Sequence, residues 1–541
     1  LLQTGVGFAQ TAQTPPPTTT PNASREITTR PAVPAEPLTL SVQNGVIPLS
    51  LEQAIEIALQ QNLGLIVQRY LRAQERLAIT QELGIYDLNT NATLTTLSQE
   101  NATLNQLEAA SFEVTSLDAG FEQLFPTGGN LTLGWENNRV EQAQFRETPV
   151  SYNSNLSFNF VQPLLRNFGR LVTESNILIA RTNSQISREE FERQATLTVQ
   201  EVVNAYWALA GAREQETVAQ ESLALARELH ERNRIQVDVG TLPPLELVQS
   251  EATIAVRDED IIRTQAVVGD RADDLRRLLN LPEGELWTAP IEPTTPPEIE
   301  PVPVDVDQAI LTAYAERPEL RNQELAIENA RINALVAQSL QRPQLNLVLD
   351  YGFDAEAAAY SDAFNQISGV DFTSWTIQLL FNYPIQNRTA RARSAIANLA
   401  LERGRIELDE QRTVISTEVR RAARGVDTAA KQIEASRISR EFQEKNLDAE
   451  RKRYENGMST SFQITQIQEE LTRARSREVE SVINYRTALA EFYRTTGRLL
   501  DVEGVAINDP TTKVEDDGPI DWWDFSVDPL VREFSGRERI Q

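Results

Sequence analysis

Apolar positions change period along this chain, and the changes come in the same order twice. Leu51, Ala54, Ile55, Ala58 and Leu59 recur at steps of three and four, which places them on one face of a helix. Further on the period falls to two. Leu131, Leu133 and Trp135 alternate with Thr132, Gly134 and Glu136, and Leu156, Phe158 and Phe160 alternate with Asn155, Ser157 and Asn159. Leu345, Leu347, Leu349, Tyr351 and Phe353 repeat the pattern, as do Trp375, Ile377, Leu379, Phe381 and Tyr383. One aromatic-rich apolar face predicts strands of a sheet that is dry on one side and wet on the other. Two readings fit: a sheet packed on a core, or a barrel with lipid outside and a lumen inside. Pro126-Thr127-Gly128-Gly129 predicts a turn between two such strands.

Long helical stretches follow each set of strands. Residues 164–242 and 385–509 contain no proline. A helix from about 172 to 236 would be roughly 100 Å long, and one from about 388 to 454 would match it. Gly240 and Gly457 mark turns, after which shorter helices return. The second return helix carries a seam of Ile464, Ile467, Leu471, Ala474, Glu478, Val482, Tyr485, Leu489 and Phe492, apolar at steps of three and four except at Glu478. That spacing predicts antiparallel coiled-coil packing. The stripe is narrow and the other faces are charged or small, so these helices need neighbours from a second hairpin, other subunits, or both.

The matching order is an internal duplication. SLEQAIEIALQQN at 50–62 parallels DVDQAILTAYAER at 305–317, FVQPL at 160–164 parallels FNYPI at 381–385, and VDVGTLPPLELVQ at 237–249 parallels YENGMSTSFQITQ at 454–466. The offset falls from about 255 to about 217–221 along the chain, so the first copy holds about 34 extra residues, roughly one hairpin. The chain divides into a proline- and threonine-rich start (1–48), repeat 1 (49–289), a proline-rich linker (290–304), repeat 2 (305–500) and an acidic tail (501–541) containing Trp522, Trp523 and Phe525. Proline neither continues a helix nor donates to a sheet, so both proline-rich segments are expected to be extended.

Composition narrows the function. No stretch reaches the ~18–20 apolar residues of a spanning helix, so crossing a membrane would require a closed barrel. A formal net charge of −27 repels phosphate backbones and argues against nucleic acid. Cysteine is absent and His230 is the only histidine, in the charged run ELHERNR, where a surface position is expected. Thiolate metal sites and histidine-based triads are thereby excluded, and no cofactor is indicated. Among 78 acidic residues any pair could be nominated for hydrolysis, so the sequence gives no signal for an enzyme. The start, LLQTGVGFAQTAQ, fits either the tail of a signal peptide with a small-x-small site at Gly7-Phe8-Ala9 or an irregular segment.

The opening S-L-x-x-A-I-x-x-A-L-x-x-N at 50–62, the strand ending Q-P-L at 162–164 and the glycine tips ahead of returning helices resemble the TolC-like outer-membrane efflux family. The duplicated order matches over roughly residues 49–500. The resemblance implies a mainly α fold with β. In it, duplicated long coiled-coil hairpins form an α-barrel across the periplasm. Amphipathic strands of three subunits, four from each, form a twelve-stranded β-barrel in outer-membrane lipid. It implies an export duct for small molecules or proteins, not an enzyme, working as a homotrimer with a periplasmic adaptor and an inner-membrane pump in tripartite efflux or type I secretion. The extra hairpin of repeat 1 is expected to be accessory to that barrel.

In the family, acidic side chains on the second returning helix ring the periplasmic aperture. The matching positions here are Gln463 and Gln466, with Glu246 and Gln249 in repeat 1. Two readings of Glu246 stand, a ring of carboxylates at the axis or a favourable charge at a helix N-terminus. The resemblance places adaptor contacts at Val239, Gly240, Thr241 and Leu242 and at Asn456, Gly457, Met458 and Ser459. The rival to a duct is a periplasmic coiled-coil scaffold without a pore. The cargo is not readable.

Overall fold

The computed structural model describes residues 40–100, 111–143, 150–297 and 302–505. The signal-like start and the tryptophan-containing part of the tail lie outside them. Repeat 1 runs β1 (Ile47–Leu49), α1 (Leu51–Gln61), α2 (Leu63–Leu83), β2 (Asn89–Glu100), β3 (Ser111–Leu124), β4 (Asn130–Ala143) and β5 (Val150–Pro163). It continues through the one-turn α3 (Arg170–Thr173), the long α4 (Ser175–Asp238), its return α5 (Leu245–Leu279), the short α6 (Glu285–Thr288) and β6 (Ile291–Pro293). Repeat 2 runs α7 (Val306–Glu316), α8 (Pro318–Ser339), β7 (Gln344–Ala357), α9 (Tyr360–Gly369), β8 (Thr373–Asn382), the long α10 (Arg388–Glu455), its return α11 (Ser461–Thr495) and the one-turn α12 (Leu499–Val502).

The duplication extends to helix ends. A capping box of Ser50 and Gln53 starts α1, while Asp305 accepts the Asp307 and Gln308 amides to start α7. Asn62 stands between α1 and α2 and caps the latter; Arg317 stands between α7 and α8. The 64-residue α4 and 68-residue α10 span about 96 Å and 102 Å, close to the lengths expected. One core gathers Tyr206, Trp207, Leu209, Leu275 and Leu279 under α1 and the two-stranded parallel pair β1–β6. The second gathers Ile415, Val419 and Tyr485 under α7. Ile291–Pro293, expected to be linker, are thus a strand, and the Tyr206 hydroxyl ties this girdle by donating to Leu49 O at 3.1 Å.

The return seam is buried as expected at Ile464, Leu471, Ala474, Tyr485 and Phe492. Its one charged interruption is satisfied: Glu478 pairs with Arg440 Nε of α10 at 2.5 Å.

β2, β3, β4, β5, β7 and β8 form one antiparallel sheet in that order. This corrects the expectation that the extra hairpin is accessory. β2 follows α2 as β7 follows α8, and β5 precedes its long helix as β8 does, so β3 and β4 are the insertion. They are fully paired on both sides. Their turn falls at Pro126–Gly129, as read from sequence, and is fastened to the helical end of the sheet. Gly169 N donates to Thr127 O at 3.1 Å, and Gln162 Nε2 donates to Thr127 O at 3.2 Å. Gly128 has φ +85°, and a Cβ there would meet Asn167 O at 2.6 Å, so glycine alone fits. A register this tightly specified leaves the hairpin no freedom to hang outside the sheet.

Candidate functional site

The chain offers two features that could conduct: the faces of the sheet and the tips of the two hairpins. Across the sheet, register gathers aromatic and small polar residues into different rows. Thr90, Phe121, Leu133, Phe158, Tyr351 and Trp375 share a row on one face; Asn91, Gly120, Gly134, Ser157, Gly352 and Ser374 share the adjacent row on the other. The apolar face holds edge-to-face rings such as Phe158 and Phe353, 6.3 Å apart. It is most open along the edge strand β8, with Trp375 69% and Phe381 66% exposed. A face this apolar and this open is a surface for lipid or another protein.

The polar face carries Asp118, Glu122, Glu136, Asp350 and Asp354. Asn155 Nδ2 donates to Asp354 Oδ1 at 2.5 Å, and Asn159 bonds Asp350 beyond the Ser157–Gly352 row. Cross-strand amide–carboxylate pairs keep these acids on the wall. Among the described residues no helix is long and apolar enough to cross a membrane.

Some 100 Å away, the tips repeat each other. Gly240 (φ +78°) and Gly457 (φ +69°) take the left-handed conformation that closes a helix. Gly240 N donates to Val237 O at 2.9 Å and Thr241 N to Gln236 O at 2.9 Å. In repeat 2, Gly457 N donates to Tyr454 O at 2.9 Å and Met458 N to Arg453 O at 2.8 Å. Both are the same glycine stop. Val239 and Met458 project outward, 68% and 63% exposed. Thr241, Asn456 and Gly240 are also exposed, while Leu242 and Ser459 are half-buried.

The four aperture positions do not share one environment. Glu246, half-buried, accepts a hydrogen bond from Ser461 Oγ at the first turn of α11, so it joins the tip of repeat 1 to that of repeat 2 within one subunit. Gln463 completes the cap of α11: its backbone N donates to Thr460 Oγ1 at 3.3 Å and its side chain accepts from Ser459 Oγ at 2.8 Å. Gln249 and Gln466 are exposed.

Further contacts between the hairpins went unseen in the sequence because they link residues some 220 positions apart. The Tyr454 hydroxyl donates to the buried Asn233 Oδ1 at 2.7 Å. Burial, and then the nearby Glu246 carboxylate, push that hydroxyl above its ordinary value, which keeps it a donor at neutral pH. Arg232 reaches Glu455 at 3.0 Å and Arg451 reaches Glu228 at 3.3 Å. His230, expected at the surface, is half-buried, its Nδ1 2.8 Å from Ser250 Oγ of α5.

A family model described as outer membrane efflux protein matches residues 123–281 and 309–498, one block in each repeat. The chain belongs to the outer membrane efflux protein family. It is thus an outer-membrane channel-tunnel whose helical part stands in the periplasm, in a family of channels rather than enzymes. Solved structures of efflux channels share its fold. The outer-membrane channel CmeC of Campylobacter jejuni superposes with TM-score 0.62 at 13% identity, covering 86% of this chain and 89% of CmeC. The open state of the MtrE channel of Neisseria gonorrhoeae gives 0.59 at 17%, covering 83% and 89%. CusC, described for folding and transmembrane channel formation, gives 0.63 at 17%, covering 86% and 97%. No curated protein sequence matches the chain. Within this efflux family the sheet is the outer-membrane section and the hairpin tips are the far periplasmic end.

Proposed function

We propose that three copies of this chain close side by side into one duct, with the apolar sheet face against outer-membrane lipid and the polar face around a water-filled lumen. The observation that carries this reading is the sheet itself. One face is aromatic and open along Phe121, Phe158, Tyr351, Trp375 and Phe381; the other is lined by acids. A scaffold in water would leave that apolar face without a partner. Acidic walls favour cations in the lumen without selecting a cargo.

The tips are the periplasmic mouth in this reading. Glu246, Gln249, Gln463 and Gln466 lie around it, and closure rests on neutral amides and on hydrogen bonds between hairpins rather than on a double ring of acids. The exposed turns at Val239–Leu242 and Asn456–Ser459 meet a periplasmic adaptor that couples the duct to an inner-membrane pump. An adaptable thioether at Met458 suits such a contact.

Planar-bilayer recording tests the duct. Purified protein should insert as discrete conductance steps with cation preference. Absence of steps from folded, membrane-inserted protein would overturn the reading. Cross-linking from Met458→Cys should capture the adaptor; capture of nothing in cells that carry out export would remove the tip from docking.

A further inference from the structure

We infer that the outer-membrane barrel of this protein has eighteen strands, six from each copy, closed by pairing of β8 in one copy with β2 in the next. The inference rests on the threefold duct proposed above and specifies the interface between its copies.

Four observations carry it. First, the inserted hairpin is inside the sheet, paired on both sides and tied to the helical end through Thr127. It cannot be left out of the wall without breaking two full ladders. Second, the sheet ends in two open edges. Every residue of β2 and every residue of β8 is exposed, on both faces. In hydrocarbon an unpaired strand edge is not tolerated, because no water is there to satisfy its free N–H and C=O groups. Third, the two edges fit one another. In a six-stranded antiparallel sheet the outermost strands run in opposite senses, so β8 beside the next copy's β2 continues the alternation. Three such sheets give an even total, which closure of an antiparallel barrel requires.

Fourth, the helical tiers end in the same way. Near the sheet the packing order is α2, α4, α8, α10; towards the tips it is α5, α4, α11, α10. One flank of the subunit is therefore β2, α2 and α5, and the other is β8 and α10. Both flanks leave large apolar side chains open, Val67 and Ile262 on the first and Ile396, Leu399 and Ile406 on the second. Repeated head-to-tail contact of two such different flanks generates a ring.

Width agrees as well. Helices packed at about 9.5 Å, twelve to a ring, give a tube of roughly 18 Å radius. Eighteen strands spaced about 4.8 Å apart and tilted about 40° give roughly the same radius, whereas twelve give about 12 Å. Six strands over four helices thus match the tube without a taper. The membrane section is then as wide as the periplasmic tube, and the only narrowing is at the tips.

Electron cryomicroscopy of the purified detergent-solubilised assembly, viewed down its axis, tests this. Threefold particles with eighteen strands are expected. Threefold particles with twelve strands would overturn this inference and leave the duct standing. Twofold particles would overturn both the threefold duct and the count, and particles without a central pore would overturn both readings. The cysteine-free chain allows a second test in intact membranes. A cysteine at Thr93 in β2, combined with single cysteines along 375–381 in β8, should give covalent dimers and trimers at one register. Cross-links from β2 to β8 within one copy, with none between copies at any register, would contradict the pairing.

Discussion

The Arg317 guanidinium lies 2.8 Å from the Glu418 carboxylate and fixes the junction of α7 and α8 to the middle of α10. Arg317 is 4% exposed, holds Glu319 through two bonds of 2.8 Å, and donates to Thr495 O at 3.4 Å. The equivalent residue of repeat 1 is Asn62, whose Nδ2 donates to Leu278 O at 3.0 Å. Both copies thus clamp the end of their return helix from the same place, one with a neutral amide and one with a buried cation. Removing one partner of a buried pair costs about 3–5 kcal/mol. The partly open carboxylates of Glu319 and Glu418 put the expected loss for Arg317→Ala near the lower end, with Glu418→Gln costing less. Denaturant unfolding of the two variants checks the order.

The same cluster sets a pH dependence. Burial raises Glu319, but hydrogen bonding to Arg317 and its charge win and hold the carboxyl below its ordinary value. A depressed carboxyl adds stability that is fully present above its unfolded value of about 4.3 and is lost as pH falls through the lower folded value. Thermal stability should therefore hold from neutral pH to about pH 5 and then fall, and Arg317→Met should flatten the acid limb. An equally steep limb in that variant would place the loss elsewhere.

At the tips, Glu246 and Ser461 form one interaction between hairpins. Glu246→Ala and Ser461→Ala should each raise the fraction of time the duct conducts in a planar bilayer, and the double variant should do no more than either alone. Additive effects would mean that the two residues act separately.

Helix packing gives a prediction about Gly211, in the middle of α4. A Cβ there would lie 2.7 Å from Ile483 Cγ1 of α11. Alanine gains about 1 kcal/mol of helix propensity over glycine. Overpacking a tight crossing costs about 1–3 kcal/mol. Gly211→Ala should therefore destabilise, and Ile483→Ala in the same chain should recover part of the loss. A stabilised Gly211→Ala would show that the helices can separate at no cost.

Charge on the sheet's polar face predicts selectivity. Asp350→Asn with Asp354→Asn removes two acids per copy from β7, opposite Asn159 and Asn155 of β5. The reversal potential in a salt gradient should shift towards zero. An unchanged potential would put selectivity at the tips alone.

Much of this was legible in the sequence because the signals are local. Proline-free runs between glycine stops marked α4 and α10, alternation marked β4, β5, β7 and β8, and the drop in repeat offset measured the inserted hairpin. What was missed depends on partners distant in sequence. β2 reads NTNATLTTLSQE, threonine and asparagine without clean alternation, so no period of two stands out there. The place of the hairpin in the sheet needed the ladders of β3 with β2 and β4 with β5. Gly211 looks like any helical glycine until Ile483 arrives beside it. Glu246 was legible as a charge near a helix start, but not its partner Ser461, 215 residues on. Short α9, between β7 and β8, has too few turns to stand out.

Site-directed labelling of adjacent residues on one strand tests the central claim most directly, since the chain has no cysteine of its own. Ser157 and Phe158 of β5 stand on opposite faces of the sheet. In intact outer membranes a small, charged thiol reagent should modify Ser157→Cys through the lumen and leave Phe158→Cys untouched, while a lipid-borne probe should do the reverse. Equal modification of both by the charged reagent would contradict a wall with water on one face and lipid on the other.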